Sequence, residues 1–81
     1  MQVTVHFYSY FKDLAGVAQL TESLPDNSTI SDLLQKIFAR FRKLEPMQRS
    51  MLIAVGVEYQ KRDFFLKDGD EVSLFPPVQG G

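Results

Sequence analysis

Thr29-Ile30-Ser31-Asp32-Leu33-Leu34-Gln35-Lys36-Ile37-Phe38-Ala39-Arg40-Phe41 decides the fold. Its apolar residues Ile30, Leu33, Leu34, Ile37, Phe38 and Phe41 fall at offsets 0, 3, 4, 7, 8 and 11, which puts all six on one stripe of an α-helix. Thr29 is suited to the N-cap, and Asp32 brings a negative charge to the first turn. Arg40, Arg42 and Lys43 bring positive charge to the last, so each end complements the helix dipole. Pro46 prevents continuation. Burying six such side chains is worth about 1.5 to 3 kcal/mol each, and that gain requires an apolar sheet face opposite the helix.

On the N-terminal side, Val3, Val5 and Phe7 alternate with Thr4, His6 and Tyr8, the period of a half-buried strand. Gly16 interrupts the chain after Tyr10 to Ala15, and Val17 to Leu24 reads as a second, weaker strand before the loop Pro25-Asp26-Asn27-Ser28. On the C-terminal side, Met51 to Val55 is a continuous apolar, β-prone run suited to an interior strand. Gly56 permits a turn into a short strand around Glu58 to Lys61, and Asp63 to Leu66 fits no single element. Lys67-Asp68-Gly69-Asp70 makes a turn, after which Val72 and Leu74 point inward while Glu71, Ser73 and Phe75 point outward. Pro76 cannot donate to a ladder, so pairing should end at Phe75.

The resulting order of strand, strand, helix, strand, short strand, strand fits an α+β, β-grasp (ubiquitin-like) domain over residues 1–75, with a mixed sheet of about five strands and one main helix across it. In that arrangement the last strand is central, and residues 76–81 leave the domain as an extended tail.

Bulk properties narrow the chemistry. A chain of 81 residues makes one domain and buries only roughly 60 to 65% of its unfolded surface. A net charge of −1 lacks the basic surplus of a nucleic-acid binder. With no cysteine and a single histidine, His6, there is no disulfide, thiolate site or ligand set for a metal. The longest apolar run, Met51 to Val57, is far short of the ~20 residues of a spanning helix. The N-terminal alternation lacks the features of a secretory leader, so a cytoplasmic location is expected. No nucleophile, base and orienting group occur together, which argues against a self-contained enzyme.

The remaining unusual feature is the tail Pro76-Pro77-Val78-Gln79-Gly80-Gly81. The prolines favour a stiff, extended base and the glycines a bendable end without Cβ atoms. Fully extended, six residues reach roughly 20 Å, enough to present a carboxylate deep inside another protein. Adenylation with ATP would turn an oxygen of that carboxylate into a leaving group. Replacing the adenylate with a sulfide equivalent would give a thiocarboxylate, a stronger acid than cysteine, whose free pKa is about 8.5. A protein without cysteine could carry sulfur in this way.

The block Asp68-Gly69-Asp70-Glu71-Val72-Ser73-Leu74-Phe75-Pro76-Pro77-Val78-Gln79-Gly80-Gly81 closely resembles the small subunit of molybdopterin synthase. Phe7-Tyr8-Ser9-Tyr10-Phe11-Lys12-Asp13-Leu14-Ala15-Gly16 resembles that family's first strand and following turn, and Leu52-Ile53-Ala54-Val55 its third strand. The resemblance implies a non-catalytic sulfur carrier for molybdenum-cofactor biosynthesis. It makes Gly81 the residue that is adenylated, thiocarboxylated and used to pass sulfur to cyclic pyranopterin monophosphate. It places Gly80, Gln79, Val78, Pro77 and Pro76 in a tunnel of the large subunit and Phe75 against that partner. It further implies an assembly of two small and two large subunits and an adenylating enzyme resembling ubiquitin-activating enzymes, which uses the ATP; the chain itself binds no cofactor. Two positions depart from the family: Gly56 stands where asparagine is common, and Lys12 where arginine is frequent.

Other readings keep the carrier but change the recipient, to thiamine synthesis, tRNA thiolation or attachment to lysines, or make the chain a ubiquitin-like interaction module. His6 has no evident reacting group beside it and reads as structural. The cluster Arg40-Phe41-Arg42-Lys43 reads as helix-end electrostatics, and Asp68, Asp70 and Glu71 as a turn without calcium-loop spacing.

Overall fold

A computed structural model of the chain describes residues 1–77. Strand β1 (Gln2–Phe7) leads into a short helix α1 (Tyr10–Ala15), followed by β2 (Gln19–Ser23) and the long helix α2 (Ile30–Arg40). A 3₁₀ segment (Arg42–Met47) precedes β3 (Leu52–Val55), β4 (Glu58–Tyr59) and β5 (Glu71–Phe75). The strands form one sheet in the order β2-β1-β5-β3-β4; β1 and β5 are parallel and all other pairs antiparallel. This is the β-grasp arrangement, with β5 central. Among the described residues no helix is long and apolar enough to cross a membrane.

Helix α2 buries Ile30, Leu33, Leu34, Ile37 and Phe38, and these join Val3, Val5, Phe7, Ile53, Val72 and Leu74 in one hydrophobic cluster. The first donors of α2 are all satisfied. Thr29 and Asp32 form a reciprocal capping box, with Asp32 N–H donating to Thr29 Oγ1 at 3.3 Å and Thr29 N–H to Asp32 Oδ2 at 2.9 Å. Ile30 N–H donates to the Phe64 carbonyl at 3.0 Å and Ser31 N–H to the Arg62 carbonyl at 2.9 Å. Arg62 and the segment Asp63 to Leu66, which fits no single element by its sequence pattern, thus supply the acceptors for orphan helix donors. Leu66 N–H donates to Ser28 O at 2.8 Å and Leu66 itself is buried, which ties the segment down on its far side.

Several expected boundaries shift, each for a local reason. Tyr10–Ala15 is helical and is not merely a connection: Phe11 is fully buried, and Gly16 closes the turn in the left-handed region (φ 78°), its N–H reaching Lys12 O at 2.8 Å. β2 is shorter than Val17 to Leu24, with Val17 left exposed, while Leu24 N–H still reaches Met1 O at 2.8 Å. β4 holds only Glu58 and Tyr59, although Gln60 N–H adds a bond to Ile53 O at 3.0 Å.

Arg42 and Lys43 do not lie in the last turn of α2. The helix ends at Arg40, before Pro46 is reached, because Phe41 (φ −121°, ψ 79°) turns the chain into the 3₁₀ segment that buries Leu44. Pro46 sits inside that segment. Arg40 does serve the helix end and pairs with Glu22 of β2 at 3.2 Å. Gly56 opens a two-residue turn between Val55 and Glu58 with φ 62°, a conformation asparagine also tolerates, so the departure from the family residue preserves the turn.

Candidate functional site: the root of the C-terminal segment

Pairing ends at Phe75, the last residue of the central strand, as the proline that follows requires. Leu74, one residue earlier, is fully buried beneath α2, so the backbone is anchored up to the point where it leaves the sheet. Pro76 and Pro77 continue outside any ladder and are half-buried. Val78, Gln79, Gly80 and Gly81, to which the sequence reading assigns the tunnel segment and the sulfur-bearing carboxylate, lie outside the described residues.

The side chain of Phe75 points away from α2, as the alternation expects, yet it is not simply exposed. Its ring stacks on Tyr8, with centroids 4.6 Å apart and planes 12° from parallel, and meets Tyr59 edge-on at 6.5 Å. Phe75 is consequently half-buried. The topology produces this cluster. β1 lies beside β5, and Tyr8 N–H donates to Leu74 O at 3.2 Å, which brings Tyr8 level with the end of β5. On the other side, Leu52 of β3 pairs with Phe75, and Ala54 pairs with both Ser73 and Tyr59. Small residues at Ala54 and Ser73 make a low floor beside Phe75, over which larger rings can lean. Tyr8 is 42% and Tyr59 70% exposed, so the cluster is an open aromatic shelf at the base of the tail.

The sequence reading singled out Phe75 and missed Tyr8 and Tyr59 as its companions. The signal was present for Tyr8, since alternation sets it outward on the same face as Phe75. What one strand's pattern cannot supply is that β1 and β5 are neighbours.

The other singled-out residues take structural roles. His6 Nε2 lies 2.8 Å from Glu71 Oε1, a side-chain pair on the outward face of β1 and β5. Asp68 Oδ1 accepts from Gln2 N–H and Asp70 Oδ2 from Lys67 N–H, both at 2.8 Å, so Asp68 ties the turn before β5 to the start of β1 and Asp70 closes the turn on itself. Among the described residues no group of three or more His, Asp or Glu side chains is placed to hold a metal ion. The shelf can bind an apolar surface through its rings, and it offers no nucleophile or proton-transfer pair.

The model of the ThiS family matches residues 5–81. A molybdopterin synthase sulfur carrier subunit from Chlamydomonas reinhardtii is 36% identical, with 100% of both chains covered. The Escherichia coli subunit of the same name is 35% identical over 98% of this chain and 99% of its own. Small archaeal modifier protein 3 of Haloferax volcanii is 28% identical over the full length of both. Among solved structures, a Pyrococcus furiosus chain assigned to molybdopterin converting factor subunit 1 superposes with a TM-score of 0.88 at 34% identity, covering 96% of this chain and 99% of that one. A complex of subunits 1 and 2 of the molybdopterin-converting factor of Helicobacter pylori contains a chain matching at TM-score 0.71 and 26% identity, with 100% of both chains covered.

Proposed function

The chain belongs to the ThiS family, and from that premise we propose that it is the sulfur carrier of molybdopterin synthase. The observation that supports this most directly is the place where the central strand ends. The central strand delivers the backbone out of the sheet at Phe75, beside an open aromatic shelf, with Pro76-Pro77-Val78-Gln79-Gly80-Gly81 still to follow. Full-length relatives carrying the name of that subunit, and a Helicobacter pylori relative seen in complex with subunit 2, support the choice of recipient.

In this reading the labour divides between the body and the tail. The β-grasp body holds the tail's root rigid, and Tyr8, Phe75 and Tyr59 dock on the large subunit, while Pro76 to Gly80 occupy its tunnel. An adenylating partner joins the Gly81 carboxylate to AMP from ATP and releases pyrophosphate. A sulfur donor then displaces AMP and leaves a C-terminal thiocarboxylate. In the large subunit that sulfur passes to cyclic pyranopterin monophosphate. Glycine at position 81 leaves the acyl carbon unshielded by any Cβ during both displacements.

The test is intact mass spectrometry of the chain incubated with its adenylating enzyme, ATP and a sulfur donor. The expected product gains the mass of one oxygen-to-sulfur exchange, localised to the last peptide; a chain that never gains it overturns the carrier reading. The match to an archaeal modifier protein favours a second reading, attachment of Gly81 to lysines. After trypsin, whose last site in the chain is Lys67, a remnant of residues 68–81 joined through Gly81 to lysines of other proteins would identify that use.

A further inference from the structure

The corner between β1 and α1 carries a backbone strain that its surroundings hold in place. Ser9 has φ 55° and ψ −139°, and Phe11 N–H donates to Tyr8 O at 3.1 Å. Together these define a type II′ turn over Tyr8-Ser9-Tyr10-Phe11, in which the second residue sits near φ of about +60° and ψ of about −120°. Glycine takes that position without cost, whereas a residue with a Cβ is strained there. The Ser9 side chain makes no capping hydrogen bond to α1 that would offset the strain. The chain is nevertheless held on both sides of the turn, since Phe7 and Phe11 are buried in the core.

The residue preceding the strain is Tyr8, whose ring carries Phe75 at the root of the tail. Phe7 and Phe11 are buried and Tyr8 N–H is held to Leu74 O, and at φ 55° a Cβ on residue 9 narrows the backbone range left to the turn that follows Tyr8. A glycine there would reach both the left-handed and mirror-β regions freely, and Tyr8 could tilt off Phe75.

We propose that Ser9 is a positioning residue for delivery of the tail: its strained backbone fixes Tyr8 on Phe75 and so presets the shelf that docks on the recipient. This rests on the carrier reading above. Stability at this corner is given up in exchange for a preformed surface, so binding need not order the rings at the moment of contact.

The experiment compares the full-length thiocarboxylated chain with its S9G and S9A variants. Thermal unfolding, the ring-current shifts of the Phe75 ring protons by NMR, and KM and kcat for sulfur transfer to the large subunit are measured for each. S9G is expected to unfold a few degrees higher as strain is relieved. Its Phe75 ring protons should move toward unstacked values. KM for the carrier should rise by about threefold to tenfold, the range for weakening one aromatic contact, with kcat unchanged. S9A keeps the Cβ and should retain wild-type shifts and KM. An S9G protein with wild-type shifts and KM would overturn the proposal, as would S9A losing as much as S9G. If the wild-type chain transfers no sulfur at all, the carrier reading fails, and the Phe75 shifts still report whether Ser9 sets the stack.

Discussion

The two faces of the sheet are built from alternate residues of the same strands and have opposite characters. On the inner face Val3, Val5, Phe7, Ile53, Val72 and Leu74 are all buried against α2. On the outer face Thr4, His6 and Glu71 give way, toward the end of β5, to Tyr8, Phe75 and Tyr59. The inner face is apolar throughout because helix burial supplies the stability of the domain. The outer face is graded, and its apolar end coincides with the point where the chain leaves the sheet. Stability and interaction are thus divided between the two sides of one layer, and each can be disturbed separately.

The largest expected effect lies beyond both faces. Deleting Gly80 and Gly81 should abolish thiocarboxylate formation, read by intact mass, while leaving the unfolding midpoint within a degree or so of wild type, since neither residue precedes the end of β5. Gly81→Ala should severely slow transfer with the same unfolding curve. An interaction module would instead keep its binding after the deletion. Next is the inner face: Ile37 is fully buried in the middle of the α2 stripe, and Ile37→Ala should cost about 2 to 5 kcal/mol in urea unfolding. A loss below about 1 kcal/mol would mean that the core does not depend on the helix as its burial indicates.

How far these features could be read without coordinates depends on the range of the interactions. Five of the six residues of the α2 stripe, all but Phe41, and the Thr29 cap were legible because a helix is decided by neighbours three and four residues apart. The alternation of β1 and β5 was legible for the same reason, and with the element order it was enough for the β-grasp. The segment 62–66 was not, since its role is to accept from Ile30 and Ser31, more than thirty residues earlier, and it has no period of its own. Nor was the early end of α2, which is set by the burial of Leu44 and not by Pro46. At the candidate site, Phe75 was singled out by the family resemblance and its outward alternation, but its stacking on Tyr8 follows from a parallel pairing of strands from opposite ends of the chain.

The aromatic end of the outer face gives the third expected effect. In a double-mutant cycle of Tyr8→Ala and Phe75→Ala, the coupling between the two rings should be about 0.5 to 1.5 kcal/mol in unfolding free energy. Affinity for the large subunit, measured by calorimetry, should fall by a larger factor than the stability loss accounts for. Equal losses in folding and binding would return Phe75 to the core and erase the division between the faces.

The smallest effect belongs to the polar end. His6 and Glu71 approach to 2.8 Å, but the Glu71 side chain is 65% exposed, and a pair open to water recovers little beyond what each group gains from solvent. The pair also lies diagonally across the ladder, since Thr4 is the residue opposite Glu71 and Ser73 the one opposite His6. The strands are therefore registered by their backbone bonds and inner side chains whether or not this contact forms. Glu71→Gln keeps an oxygen that can accept from the imidazole and removes only the charge. It should change unfolding free energy by less than about 1 kcal/mol, a difference that fades in high salt. A loss of several kcal/mol that persists in salt would make the outer face a structural partner of the inner one, and the same strands could then no longer be said to divide their two tasks between their two sides.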